Sequence, residues 1–205
     1  MSVRPTRLRF DGWIAGLGTS TGVRVVIGCW QASPFGAFTD VMVERGDGHR
    51  MLLAPTREIA DFVSATYRFD SAVVTPVTTA RSRSEVDLRA GPLAMRLQTG
   101  ARPPLGWLLR AVPTPLATTP RWIAAIDPVA RLLLAGVRTT GTAGNGHREF
   151  YGAQDLRRIV AVQGRLDGVD LGQLGPVEPR VRFGFGSVPR RPAIVSVVTT
   201  VQVSE

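Results

Sequence analysis

Asp40, Met42 and Glu44 alternate along one short stretch of SPFGAFTDVMVERGDGHRMLLAPTREIADFVSATY, residues 33–67. Phe38 to Glu44 is rich in β-formers. Its period of two places these three side chains on one face and Val41 and Val43 on the other. Turned toward an enclosed, partly apolar space, the two carboxyl groups would gain pKa and suit acid–base chemistry or the holding of a ligand. Turned outward, they would be the wet face of an antiparallel strand.

A second cluster stands at His147-Arg148-Glu149, beside the turn signal Ala143-Gly144-Asn145-Gly146, with Tyr151 on the same strand face as Glu149. It reads either as a solvated hairpin end or as the rim of a cavity. The candidate ligand-binding set is therefore Asp40, Met42, Glu44, Arg148 and Tyr151. Arginine is the natural holder of an acidic ligand, and no residue has an assigned catalytic role.

Three other patterns reduce to structure. Gly18-Thr19-Ser20-Thr21-Gly22 fits G-x-S-x-G, but a nucleophile elbow needs a helix after the serine, and here Val23 to Ile27 reads as a strand. The same run misses the dinucleotide fingerprint by one residue. Arg182-Phe183-Gly184-Phe185-Gly186 has the wrong order for an RNA-binding sheet and predicts a core or edge strand. The two histidines, His49 and His147, lack metal-ligand spacing, so no metal and no cofactor are expected.

The chain has 205 residues, 44% of them hydrophobic and 20% charged, enough for one well-packed core. All 25 basic residues are arginine, which against 16 acids gives a net charge of +9. Codon preference in a G- and C-rich genome accounts for that bias without a selected role. The arginines are scattered, adjacent only at Arg157-Arg158 and Arg190-Arg191, so nucleic-acid binding is not expected. Cys29 is the single cysteine, which rules out a disulfide within one chain. MSVRPTRLRFDGW has charge without an apolar core and predicts no secretion signal, and Trp122 to Val137 is too interrupted to span a membrane. A cytoplasmic protein is expected.

The elements that must position these side chains are mostly strands. Arg7 to Trp30 predicts a hairpin turning at Gly16 to Gly22. Gly46-Asp47-Gly48 reverses the chain into Met51-Leu52-Leu53. Thr56 caps a helix with an apolar stripe of Ile59, Phe62, Val63 and Tyr67. Ala72 to Thr79 and Glu85 to Gln98 read as strands joined by an exposed turn at Arg81 to Ser84, the second broken or bulged at Gly91-Pro92. Leu105 to Val112 is helical, and a second helix runs from Thr119-Pro120 to Gly136. Strands return at Val137 to Thr142, Arg148 to Ala153, Leu156 to Gln163, Val181 to Phe185 and Ala193 to Val203. The expected fold is α+β, an antiparallel, barrel-like sheet with two helical insertions, in one domain over residues 1–205.

Phe35-Gly36-Ala37-Phe38-Thr39-Asp40 resembles a phrase of the form F-G-x-[YF]-T-E in the acetoacetate decarboxylase-like family of β-barrel proteins, with Asp40 where that family has its active-site glutamate. Tyr67-Arg68-Phe69 falls where the family's Trp/Tyr-x-Phe-Pro-Lys-Lys phrase begins, and the order of later elements is compatible. The resemblance implies an oligomeric barrel and a Schiff base between lysine and a ketone. Asp70 and Ser71 stand where the lysines would fall, and the chain contains no lysine. Arginine stays protonated and cannot replace it. The resemblance thus implies a pocket for a small, plausibly acidic organic molecule without Schiff-base decarboxylation. The other readings are an oligomeric interaction protein and, less favoured, a basic nucleic-acid binder.

Overall fold

A computed structural model describes residues 6–119, 122–123, 140–142, 148–184 and 188–203. Its strands are β1 (Thr6–Thr19), β2 (Arg24–Ala32), β3 (Phe38–Glu44), β4 (Arg50–Ala54), β5 (Ser71–Val74), β6 (Val77–Arg81), β7 (Glu85–Ala90), β8 (Leu93–Thr99), β9 (Thr140–Thr142), β10 (Arg148–Leu166), β11 (Val169–Asp170), β12 (Leu174–Gly175) and β13 (Ala193–Val203). The helices are α1 (Arg57–Thr66), α2 (Pro104–Ala111) and α3 (Thr114–Ala117). Most of the helix expected up to Gly136, the turn at Ala143 to Gly146, His147 and Phe185-Gly186 lie outside the described residues.

The strands pair in the order β5-β4-β3-β2-β1-β13-β10-β8-β7-β6, antiparallel except for β4 with β5. The sheet curls until its arms face each other. Thr79 on β6 meets β3 through Thr39, Oγ1 to Oγ1 at 3.3 Å. Val25, Ile27, Val41, Val43 and Leu53 of one arm share a core with Val86, Leu88, Leu93, Met95 and Leu97 of the other. The fold is α+β with a barrel-like sheet, as the strand pattern predicts.

The parallel β4–β5 pair fixes where α1 goes. Parallel neighbours need a crossover connection, and a helix in that crossover must cover one face of the sheet. Ile59, Ala60 and Val63 of α1 accordingly pack on Leu52 and Ala54, the β4 side chains pointing away from the first core, together with Phe10, Phe38 and Val201. Thr56 Oγ1 accepts the Ile59 N–H at 3.2 Å and closes the helix N-terminus. Thr56→Ala should lower stability by about 1 kcal/mol, read by urea unfolding; an unchanged midpoint would show that the cap contributes nothing.

Four expectations need correction. Ala72 to Thr79 is not one strand but parts of two, β5 and β6, which are broken at Thr75-Pro76 and stand at opposite ends of the strand order. The glycine-rich run at 16–19 is the end of β1 and not a turn; the reversal occupies only residues 20–22. Its glycines serve close approach, since a Cβ at Gly16 would lie 1.8 Å from Val188 Cγ1 and one at Gly18 2.0 Å from the Pro176 carbonyl oxygen. Arg148 to Gln163 is one continuous strand that extends to Leu166, with a register shift between Ala153 and Asp155. Val181 to Gly184 is not a strand. Its polar backbone is satisfied by other partners: the Arg182 N–H donates to Glu44 Oε2 at 2.7 Å, and the Phe183 carbonyl accepts from the Arg68 N–H at 2.6 Å.

Candidate functional site

Of the two readings of the Asp40 face, the outward, wet one is not what the structure shows, and Asp40 lies on a partly apolar cavity as the inward one expects. The face is not wet, because Asp40 is 3% exposed and Glu44 fully buried. It does not point into the core between the sheet arms either; that space is filled by Val41, Val43 and their partners. The Asp40 face lies under α1, residues 181–184 and Val188, with α1 placed by the β4–β5 crossover and residues 181–184 held by the Glu44–Arg182 contact.

Between these layers lies a cavity of about 80 Å³. A water needs roughly 10–15 Å³ on this measure, so there is room for several waters or a small organic molecule. The floor comes from five adjacent strands: Asp40 and Met42 on β3, Gly28 and Trp30 on β2, Phe10 and Ile14 on β1, Thr199 and Val201 on β13, Glu149 and Tyr151 on β10. Phe62, Val63 and Thr66 of α1, then Tyr67, Val181, Phe183 and Val188, form the roof. Phe10 stacks on Phe62 with ring centroids 5.5 Å apart and meets Trp30 edge-on at 5.5 Å.

The polar groups stand at two places on this apolar lining. Asp40 Oδ1 accepts the Trp30 indole N–H at 3.2 Å, and among the described residues no cation pairs with it. Burial pushes its pKa up to about 7 against the opposing effect of the Trp30 hydrogen bond. The approach depends on Gly28, where a Cβ would lie 2.7 Å from Asp40 Oδ1 and 3.0 Å from Trp30 Nε1. Gly28→Ala is expected to break the Trp30–Asp40 contact, seen as a shift of the Trp30 indole proton in NMR; an unmoved resonance would contradict that crowding.

At the second place, Glu149 Oε2 accepts the Tyr151 hydroxyl at 2.6 Å and the Tyr67 hydroxyl at 3.0 Å, and the two hydroxyl oxygens are 2.8 Å apart. Burial raises the Glu149 pKa while both tyrosine donors pull it down. Burial, then the Glu149 charge, holds both tyrosines well above their ordinary value. Thr199 is opposite Tyr151 in the β10–β13 register, and its Oγ1 is buried without a hydrogen-bond partner.

Of the residues singled out in the sequence, Asp40, Met42 and Tyr151 line this one cavity. Glu44 shares their strand face but does not line it. Its carboxylate is held by Arg24 Nη2 at 3.0 Å and Arg182 Nε at 2.8 Å. Arg148 is in β10, and its side chain lies outside the described residues. Trp30, Tyr67 and Thr199 were not among the candidate site residues, and Glu149 was named only within the His147-Arg148-Glu149 cluster read as a hairpin end or a cavity rim. Thr199 carried a signal: it stands in the β13 row otherwise occupied by Val195, Val197, Val201 and Val203. The Ser20 hydroxyl accepts the Gln173 N–H at 2.9 Å within an exposed turn, with β2 following, as the turn reading has it. Among the described residues no group of His, Cys, Asp or Glu is placed to hold a metal ion, and no helix is long and apolar enough to cross a membrane.

The fold and cavity together define an α+β protein with a barrel-like sheet and a helix-covered, carboxyl-bearing cavity. No family model matches the chain, and no curated protein matches it. Among solved structures it is similar to an acetoacetate decarboxylase from Legionella pneumophila, with a TM-score of 0.42 and 8% sequence identity, over 98% of this chain and 86% of that one.

Proposed function

We propose that the protein binds a small organic molecule in the cavity beneath α1, in an acetoacetate decarboxylase-like barrel that has no Schiff-base chemistry. The observation that carries this reading is the placement of two buried carboxyl groups, two tyrosine hydroxyls and the unpartnered Thr199 hydroxyl around one aromatic-lined space. Burying such groups is costly unless they are hydrogen-bonded, and a pocket of convergent polar groups on an apolar lining is the usual form of a ligand site. Among the described lining residues the polar groups are carboxyls, hydroxyls and an indole, with no arginine. No cation on that lining is available to hold an ionised acid, and its groups suit a neutral ligand: a carbonyl compound, an alcohol, or an acid carrying its proton. With no lysine in the sequence, no side-chain amine is available for an iminium.

The test is native mass spectrometry of freshly purified protein, followed by Trp30 fluorescence titration with short ketones, alcohols, carboxylic acids and amines. A co-purified small-molecule mass, or saturable quenching that Trp30→Phe removes, supports the reading. A clean protein mass together with no quenching by any class overturns it. A second reading, association between copies of the chain, draws on Trp107 and Leu108, each 60% exposed, and Leu116, 43% exposed, on α2 and α3. The same spectrum gives the subunit count, and a monomer at all concentrations rejects that reading.

A further inference from the structure

Binding alone leaves unexplained why two separate proton-bearing groups face one small cavity. Asp40 stands at the β3 side, and its charge is near enough to Tyr67 to raise the pKa of that hydroxyl. Tyr67 is the roof member of the second group, tied to Glu149 and Tyr151 by the three short oxygen contacts. With Glu149 ionised, both hydroxyls donate to its carboxylate; with Glu149 protonated the cluster holds one more proton, and the Tyr67 hydroxyl can turn to a ligand oxygen. Burial favours the protonated carboxyl. Thr199 Oγ1, next to Tyr151, offers a further hydroxyl without a partner.

We propose that the cavity catalyses proton transfer at the carbon next to a carbonyl group, with Asp40 as the base and the Tyr67–Glu149–Tyr151 cluster holding the carbonyl oxygen. The inference rests on the cavity being a binding site and names its substrate class, a small neutral ketone. In the step, the α-carbon–hydrogen bond breaks and its proton goes to the Asp40 carboxylate. The released electron pair forms the carbon–carbon double bond, and the carbonyl π pair moves onto oxygen. That oxygen is stabilised by hydroxyl donors already positioned on an apolar lining. Once the proton on Asp40 has been replaced by one from solvent, its transfer to carbon completes an exchange, and its delivery to oxygen gives the enol. Nothing is oxidised or reduced.

The position of Asp40 suits the role. A base must be ionised yet retain proton affinity at working pH, which its midpoint of about 7 provides. The titratable groups sharing the cavity with it are Tyr67, Glu149 and Tyr151. α1 turns Phe62, Val63 and Thr66 toward it, and Val181, Phe183 and Val188 also line it, none of which titrates.

Cyclopentanone in D₂O is the probe, with loss of its α-proton signal followed by NMR. Wild-type protein should accelerate exchange over buffer, with a rate that rises with pH through about 7 as Asp40 ionises. Asp40→Asn should lower the protein-catalysed rate by about 100-fold or more, and Tyr67→Phe by roughly 10- to 100-fold. 4-Fluorophenol, whose phenolate imitates the enolate, gives a readout without turnover by fluorine NMR. Asp40→Asn should bind it more tightly than wild type at pH 8, because no carboxylate then opposes the anion, and Tyr67→Phe more weakly. Binding of both probes with exchange at the buffer rate, or exchange that survives Asp40→Asn, overturns the catalytic inference and leaves the binding function standing. Absence of binding by both probes also overturns the catalytic inference, and the binding function then stands or falls by the mass and quenching test above.

Discussion

Asp40→Asn should make the protein more stable at pH 8 and leave it almost unchanged near pH 4. The carboxyl is buried and has an indole N–H as its hydrogen-bond partner, which stabilises the ionised form less than burial destabilises it. Its folded midpoint is about 7 against an ordinary 3.8. Below 3.8 both folded and unfolded chains hold the proton, and the residue has no effect on the folding equilibrium. Between 3.8 and about 7 the folded chain holds it and the unfolded chain does not, so stability falls as pH rises. Above about 7 both forms are ionised, and the loss is complete, on the order of 4 kcal/mol from that displacement. Asparagine does not titrate and its side-chain oxygen can still accept from Trp30. Urea unfolding of both proteins at pH 4 and pH 8 checks this. The variant's advantage should emerge only at the higher pH; equal advantage at both would mean that Asp40 does not carry a raised midpoint.

Glu44→Ala should be among the most damaging single substitutions in the chain, costing about 3–5 kcal/mol. Glu44 is fully buried, and the Arg24 side chain across the β2–β3 ladder is 5% exposed. Truncating the carboxylate leaves Arg24 charged in the interior, with a weak 3.3 Å contact to the Arg45 carbonyl and an Nε that already has no partner. It also frees the Arg182 backbone N–H and side chain, and with them the segment that brings Val181 and Phe183 to the cavity roof. Thermal and urea unfolding measure the loss. Replacing both partners, Arg24→Met with Glu44→Leu, should recover most of it, because no unpaired charge then remains. A single variant as stable as wild type would show that the pair makes no net contribution.

The two carboxylates show how far the sequence could be followed. Period-two alternation put Asp40 and Glu44 on one face of β3, and the strand is where it was expected, as is β13 from Ala193 to Val203. Alternation says nothing about what covers that face. Asp40 became a cavity residue because α1 covers that part of the face, and Glu44 half of a buried ion pair next to the segment 181–184, whose Arg182 reaches its carboxylate. That segment itself was misread: Val181 to Gly184 has strand-forming side chains, yet its hydrogen bonds go to a side-chain carboxylate and to Arg68.

What the sequence by itself determined were the properties set by near neighbours and by residue chemistry: the strands, the Thr56 cap, the apolar stripe of α1, and the lack of any lysine for iminium formation. Which groups share a cavity was decided only by the tertiary structure. Asp40, Tyr67, Glu149 and Thr199 are far apart along the chain and are brought together by the curled strand order and the crossover of α1. The raised pKa values of Asp40, Tyr67 and Glu149 follow from the burial that this packing imposes, and burial is a property of the whole fold.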